Sequence, residues 1–437
     1  MKITLINPNI VSQKEDFSGS GIPYMPVGLA VLAGWLREQG HSVRVIDAFG
    51  ENPQRVVCTK THFVQGLGAD DVADRVPPDT ELLGFFAHLT VTHSALLDIM
   101  RAVKTRLPDC PSAVIENIIL VNSYSLRHVA DEFFALGVDY VLLGYPEARF
   151  GRVIDAVRSG APAGAGDGVL SRREQDGPCA PEHDHAVDLD ALPFAAWDLF
   201  PVENYWRLGY AHAPLTGKRY MALVTSRGCP FNCGFCISPE VTCRRWNARS
   251  AENVADEMAA VQQRYGVDEF HVLDINPTVS RKRVQAFCRC LLDRGLAVTW
   301  KLGQGTKLET LDRETLQLMA QAGCRYISIS PESGSPRVLG LMDKPVDREH
   351  AVRVVRWANA AGIATQNCFV IGYPGEKARD RSMTSALVRR VARAGADEVA
   401  LFIITPMPGS RVFDEIGDQV ESLDQMTFTP TWRPDYA

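Results

Sequence analysis

No stretch of this chain stays apolar for the roughly 18 residues that a bilayer-crossing helix needs, so no transmembrane helix is expected. No leader is legible either. Met1-Lys2-Ile3-Thr4-Leu5-Ile6-Asn7-Pro8 lacks the basic, apolar and small-residue regions of a secretion signal, and reads as a buried strand ending in a turn. Basic residues are not in excess: 46 Lys and Arg stand against 52 Asp and Glu, a net charge of −6, which argues against nucleic acid as an obligate partner. The cysteines do not come in an even number. Eleven of them fit a reducing compartment better than a disulfide-stapled secreted fold. These absences together point to the cytoplasm. The rest of the composition is ordinary for a globular protein, 46% hydrophobic and 22% charged, and 437 residues suffice for two or three domains.

The cysteines are unevenly spread. Cys229, Cys233 and Cys236 crowd into the run Arg227-Gly228-Cys229-Pro230-Phe231-Asn232-Cys233-Gly234-Phe235-Cys236, a C-x3-C-x2-C spacing. Three thiolates this close can hold three irons of a [4Fe–4S] cubane. The fourth iron then has no ligand from the motif and stays open to the amine and carboxylate of a small molecule. The competing arrangement is a structural zinc or a closed cluster with Cys243 as fourth ligand, but zinc sites usually pair two short knuckles far apart in sequence. Cys58, Cys110, Cys179, Cys288, Cys290, Cys324 and Cys368 are scattered, and read as small buried hydrophobes or surface thiols.

Residues 1–155 alternate strand and helix patterns. Strands are predicted at Ile3–Ile6, His41–Asp47, Leu82–Ala87, Ile118–Val121 and Tyr140–Leu143, and helices at Val27–Gln39, from after Ala87 through Thr105, and around Arg127–Leu136. This alternation implies a doubly wound, Rossmann-like parallel sheet, with its ligand site on the loops after Ile6, Ala87 and Val121. Residues 156–215 read as a linker and bridging segment, in which Trp197 and Phe200 are expected to pack at the domain interface. Residues 216–411 alternate again. Strands are predicted at Met221–Thr225, Glu269–Leu273, Val298–Leu302, Tyr326–Ser330, Ile363–Ile371 and Glu398–Thr405, and helices near Ala251–Tyr265, Arg281–Arg294, Arg313–Ala322, Arg348–Ala361 and Arg379–Ala394. Six βα units make a partial (β/α)6 barrel, whose reactive groups gather on loops at the strand C-termini; the cysteine loop follows the first strand. Residues 412–437 are a short tail, with Trp432 and Tyr436 as candidates to plug the barrel base or line its opening.

The cysteine run, with Phe235 just before its third cysteine, resembles the radical S-adenosylmethionine (SAM) enzymes. Four further stretches at successive strand ends are similar to that family: Asp274-Ile275-Asn276, Ile329-Ser330-Pro331-Glu332-Ser333-Gly334-Ser335, Phe369-Val370-Ile371-Gly372-Tyr373-Pro374-Gly375-Glu376 and Ile403-Ile404-Thr405-Pro406-Met407-Pro408-Gly409-Ser410. The resemblance implies that Cys229, Cys233 and Cys236 hold the cluster with Phe235 packed over it. It implies that Asp274 and Asn276 face the SAM ammonium, although Asn276 stands where an acid is usual. Glu332, with Ser330 beside it, would bond the ribose hydroxyls or amino group, Gly372 would let the backbone approach the adenine, and Thr405 would complete the SAM site. Upstream, Gly21-Ile22-Pro23-Tyr24-Met25-Pro26-Val27-Gly28-Leu29-Ala30 and Gly40-His41-Ser42-Val43-Arg44-Val45-Ile46-Asp47-Ala48 look like the cobalamin-binding domain that precedes many such cores. The chain has no D-x-H-x-x-G motif, so cobalamin would be bound without that histidine; His88 and His93 read as hydrogen-bonded loop residues, with a cobalt contact as the alternative. Val121-Asn122-Ser123-Tyr124-Ser125 stands where the family often has a Gly-Gly pair, and Gly144-Tyr145-Pro146-Glu147 where it has Gly-Glu-Gly-Glu. Both departures add bulk where glycine leaves room.

The resemblance thus implies an enzyme that reductively cleaves SAM at a [4Fe–4S] cluster and, with cobalamin, methylates an unactivated carbon or phosphorus of a small-molecule or carrier-bound substrate. The alternative is a cyclase, oxidase or rearrangement enzyme whose cobalamin domain is non-methylating or has lost cobalamin. A tRNA methylthiotransferase is set aside because only Cys58 and Cys110 precede the linker. An electron donor such as flavodoxin or ferredoxin is implied, and no nucleic acid. No catalytic acid or base is legible; Tyr373, Cys368 and Met407 lie near the barrel mouth as substrate-side candidates.

Overall fold

The computed structural model describes residues 1–14, 21–160, 168–172, 187–419 and 423. Its first sheet is built from β1 (Lys2–Asn7), β2 (Ser42–Asp47), β3 (Leu82–Ala87), β4 (Ser112–Glu116), β5 (Tyr140–Leu142) and β6 (Val169–Ser171), in the order β2-β1-β3-β4-β5-β6. All neighbours are parallel except β5 and β6. Every residue of β3 is buried, as a central parallel strand covered by helices on both faces requires. The covering helices include α1 (Val27–Glu38), α2 (His93–Arg106) and α3 (Pro146–Ser159).

Two features differ from the sequence reading. The fourth strand is Ser112–Glu116, not Ile118–Val121. Both runs are apolar, but the Asn117 side chain accepts the Ile119 N–H at 3.1 Å and donates to the His88 carbonyl at 2.8 Å, which turns the chain across the strand ends. Ile118, Ile119 and Leu120 therefore form a buried loop. Secondly, Ile10–Gln13, His62–Gln65 and Val56–Cys58 pair as a small antiparallel sheet that the periodicity did not reveal.

The second sheet is β7 (Tyr220–Leu223), β8 (Glu269–Val272), β9 (Thr299–Thr306), β10 (Cys324–Glu332), β11 (Ala364–Ile371) and β12 (Glu398–Ile403), parallel and in sequential order. The two end strands, β7 and β12, are not neighbours, so the barrel is open. Its helices are α4 (Ala251–Tyr265), α5 (Arg281–Asp293), α6 (Arg313–Gln321), α7 (Arg348–Ala360) and α8 (Ala378–Arg393). Ser250, Ser280, Asp312 and Asp347 cap the first four, each accepting a first-turn N–H, which fixes where every βα loop ends. Among the described residues no helix is long and apolar enough to cross a membrane.

The bridging segment joins the two sheets. Ala196 N–H reaches the Ala30 carbonyl on α1 at 3.0 Å and Ala195 N–H reaches Glu257 on α4 at 3.1 Å, with Trp197 and Phe200 buried edge to face between them. The carboxyl ends of the first sheet face the barrel mouth. Ser125 N–H donates to the Pro408 carbonyl at 3.0 Å, Ser125 Oγ to Glu240 at 2.6 Å, and Val121 N–H to Gln304 Oε1 at 3.3 Å.

Glu116, at the end of β4, closes the first sheet from within. Its buried carboxylate accepts Leu126 N–H at 2.9 Å and Gly144 N–H at 2.6 Å, and burial pushes its pKa up to about 7. A carboxyl group raised in the fold stabilises it fully below its unfolded pKa of about 4.3, and that contribution is lost as pH rises through the folded value. Glu116→Gln is therefore expected to flatten the decline in stability between about pH 4.5 and 7, by roughly 3 kcal/mol over that window, in denaturant titrations run against the parent chain.

Candidate active site

The loop that follows β7 carries the three cysteines, and its entry is fixed by short-range geometry. Ser226–Gly228 pairs antiparallel with Trp246–Ala248, a two-strand ribbon that ties off the intervening loop. Gly228 adopts φ +82°, and a Cβ there would lie 2.2 Å from the Arg245 carbonyl, so no side chain fits. Further on, Gly234 N–H donates to the Met342 carbonyl at 2.8 Å and its own carbonyl accepts Val412 N–H at 3.1 Å.

Two of the sulfurs receive donors. Ser238 N–H points at Cys236 Sγ at 3.4 Å, and Asn276 Nδ2 lies 3.6 Å from Cys229 Sγ. Burial raises the Cys233 thiol and pushes Cys236 up to about 12, with the neighbouring thiols adding to both. Bare thiols here hold their protons, so the positive charge of bound iron is what makes them thiolates. Cys243 is turned elsewhere: at φ +50° its Sγ donates to the Glu240 carbonyl at 3.3 Å. Three thiols on one loop, with N–H donors on two of them, fit an iron–sulfur cluster, whose potential such donors tune.

Around the loop stand residues that the sequence reading named and others that it missed. Asp274 is wholly committed to the fold, accepting Thr225 N–H (2.7 Å), Thr225 Oγ1 (2.6 Å) and Ser226 Oγ (2.6 Å), so it braces the entry to the cysteine loop. Asn276 lies against Cys229 and its carbonyl accepts Trp246 Nε1–H at 3.0 Å. Glu332, at φ +58°, is buried and held at 2.5 Å by the half-buried Lys344. A non-glycine residue in that region costs about 1–3 kcal/mol, a strain that clusters at functional sites. Ser330 lies two residues earlier on β10, and its Oγ would be 3.4 Å from a Cβ on Gly305. Gly372, at φ +78°, donates its N–H to Glu376 at 2.7 Å, and Thr405 is buried after β12. Phe235 lies beneath the Lys344 ammonium, 5.8 Å from its ring centre, and Lys307 sits 3.3 Å over Phe231. Glu309 keeps both carboxylate oxygens buried without a hydrogen-bond partner, near Lys344. The lysines and Glu309 carry no spacing signal; only the fold brings them to the cysteines.

The cysteine loop is also bolted to the first domain. Arg227 and Glu147, at the start of α3, form a bidentate pair at 2.7 and 2.9 Å, 4% and 3% exposed, and the guanidinium lies 5.4 Å from the Tyr145 ring centre. Glu147 is the last residue of Gly144-Tyr145-Pro146-Glu147.

Where the two domains meet, Asn122 Oδ1 and Gln304 Nε2 are buried without partners. Orphaned polar atoms at such a seam fit a bound group with an amide-bearing rim, which is the character of a corrin. Among the described residues, neither His88 nor His93 presents its imidazole there. His88 is buried against Phe86 and pushed down to about 3 by desolvation; His93 is engaged by Tyr124 Oη at 2.8 Å and Glu132 at 3.2 Å. Of the substrate-side candidates, Cys368 lies inside the barrel 3.4 Å from Ser328 Oγ, and Met407 Sδ meets Thr90 of the first domain at 3.9 Å. Tyr373 Oη donates to the Leu341 carbonyl at 3.3 Å, beside Gly234.

Residues 223–388 match the Radical SAM superfamily. The chain is 28% identical over 465 residues to a cytidylyl-2-hydroxyethylphosphonate methyltransferase of Streptomyces wedmorensis, covering 98% of this chain and 84% of the relative. It is 26% identical over 444 residues to an anaerobic magnesium-protoporphyrin IX monomethyl ester cyclase of Rubrivivax gelatinosus, covering 100% and 74%. Among solved structures it resembles the radical S-adenosylmethionine methyltransferase TsrM of Kitasatospora setae, solved with cobalamin and a [4Fe–4S] cluster bound. That match has a TM-score of 0.71 at 18% identity and covers 96% of this chain and 78% of the other.

Proposed function

We propose, from the premise that this chain belongs to the radical SAM enzymes that carry an N-terminal cobalamin-binding-type domain, that it is a cobalamin-dependent methyltransferase. The substrate is a small molecule or a carrier-bound intermediate, and the atom methylated an unactivated carbon or phosphorus. Cys229, Cys233 and Cys236 would ligate the cluster. The loops after β3 and β4, with Asn122 at the seam, would hold the corrinoid. When bound, the cluster supplies an electron that cleaves SAM to methionine and a 5′-deoxyadenosyl radical, and the corrinoid supplies the methyl group.

The protein's own residues do the positioning. Asp274 and the ribbon brace the cysteine loop, Asn276 and Ser238 orient donors onto sulfur, and the Lys344–Glu332 pair fixes charge beside Phe235. Ser330, Gly372 and Thr405 lie at the ends of β10, β11 and β12, where SAM would be held. The observation that carries the reading is this opposition: cysteines at the mouth of an open parallel barrel, and the carboxyl ends of a second parallel sheet facing them. Such packing excludes water from the reacting groups.

A second reading, a cyclase or other non-methylating radical enzyme, is favoured by the buried Ile118-Ile119-Leu120 loop after β4, which takes up space at the strand ends. Anaerobic reconstitution with iron, sulfide and hydroxocobalamin, followed by desalting, tests both. Retained corrinoid bands over the iron–sulfur absorbance, with 5′-deoxyadenosine formed from SAM under reduction, are expected. 5′-Deoxyadenosine without retained corrinoid would favour the second reading; neither signal would sink both.

A further inference from the structure

The amino end of the barrel is sealed by the bridging segment. Glu269 on β8 accepts Thr216 N–H at 2.7 Å and Gly217 N–H at 2.8 Å, while Lys301 on β9 pairs with Glu269 at 2.8 Å and donates to the Pro214 carbonyl at 3.1 Å. His271 Nε2 completes the group, 2.8 Å from Glu269. His212, just before this seal, enters the barrel. Its ring lies 6.2 Å from that of Tyr326 on β10, and a Cβ on Gly303 would touch it at 3.4 Å.

Two domains fix that imidazole. Nδ1 lies 2.7 Å from the hydroxyl of Tyr24, which comes from the first domain. Nε2 is buried with no hydrogen bond of good geometry, and Gln366 faces the same ring. Next to it, the register of β9 slips between Leu302 and Thr306, and a bulge of this kind re-aims a side chain. Here Gln304, with Gly303 and Gly305 on either side, faces the Tyr24 hydroxyl, and its buried Nε2 makes no hydrogen bond of good geometry. Ser328 on β10 links Gln366 at 3.0 Å and Cys368 at 3.4 Å on the same side of β11.

Among the described residues, the one cation beside these side chains, Lys301, is already paired, and the carboxylate Glu398 is met only by neutral donors. Glu398 accepts Tyr326 Oη at 3.1 Å and Gln366 Nε2 at 2.7 Å, and Glu269 and Lys301 hold each other. Desolvation pushes His212 down to about 4, so the imidazole is neutral at pH 7. An anion entering here would lose its water and find no free cation, whereas a neutral polar group would satisfy buried atoms that lack a well-aligned partner.

We propose that His212, oriented by Tyr24, holds the substrate inside the barrel, and that the group it holds is uncharged and hydrogen-bonding: an amide, a hydroxyl or a ring N–H, not a carboxylate or phosphonate. This rests on the radical SAM reading of the same barrel and narrows its substrate class. His212 serves to position the substrate.

Saturation-transfer NMR on the reconstituted holoenzyme with SAM present, using the isosteric probes benzamide and benzoate, tests it. Benzamide is expected to bind at least about tenfold more tightly than benzoate, and His212→Ala to weaken benzamide about tenfold while leaving benzoate unchanged. Benzoate binding as tightly as benzamide, failure of both to bind, or a His212→Ala protein that keeps the parent's benzamide affinity overturns the proposal. The iron–sulfur absorbance reports whether the variant has folded. If it has not, Tyr24→Phe, which removes only the orienting hydroxyl, takes its place with the same expected loss, and an unchanged affinity there overturns the proposal too. 5′-Deoxyadenosine formation in the parent sample reports separately on the radical SAM reading, so the two can fail independently.

Discussion

Cys236→Ala is expected to abolish reductive cleavage of SAM, with 5′-deoxyadenosine falling to the level without enzyme and the iron–sulfur absorbance lost or strongly reduced. On the proposed reading each of the three thiols would serve one iron, and Ser238 N–H meets the Cys236 sulfur at 3.4 Å. The informative control is Cys243→Ala. Cys243 is held by the Glu240 carbonyl, and its loss is expected to leave absorbance and SAM cleavage intact. A Cys243 variant as damaged as the Cys236 variant would instead indicate a site closed by four cysteines, with no iron open to SAM.

Glu147→Ala is expected to be strongly destabilising. It leaves the Arg227 guanidinium buried and unpaired, two residues from Cys229, and breaking a buried ion pair by removing one partner costs about 3–5 kcal/mol. Because Arg227 belongs to the cysteine loop and Glu147 to the first domain, the loss is expected in two readouts: a lower unfolding midpoint in denaturant and weaker retention of reconstituted iron. The double variant Glu147→Leu with Arg227→Met removes both charges. It is expected to recover much of the stability, since well-packed apolar replacements of buried ion pairs are often neutral or better. A Glu147→Ala protein as stable as the parent would mean that water reaches Arg227.

The sequence reading and the structure agree where local signals are strong. Helices α4 to α7 begin at side-chain caps, all five from α4 to α8 carry apolar periodicity, and their predicted bounds fall within one residue of those observed. Agreement failed where two short apolar runs competed. Ser112–Glu116 and Ile118–Val121 look alike in sequence, and the Asn117 turn and the register with β3 select the first. The antiparallel strands around Val56 and His62 are only three and four residues long, and the third strand, Ile10–Gln13, joins them from some 50 residues away, so periodicity had little to report.

The candidate site divides in the same way. By itself the sequence pointed to the cluster chemistry, because C-x3-C-x2-C puts three thiols on one short loop, and it determined the order of the βα units, because hydrophobic period is local. Which charges surround those thiols was decided only by tertiary structure. Lys344, Glu309, Arg227 and Glu147 come from separate elements, and His212 meets Tyr24 across 188 residues. Asp274, similar by position to a SAM-facing acid, was assigned by packing to the Thr225–Ser226 turn. The physical reason is that a buried polar group takes whichever partner the fold places within about 3 Å, and that distance is written in no linear spacing.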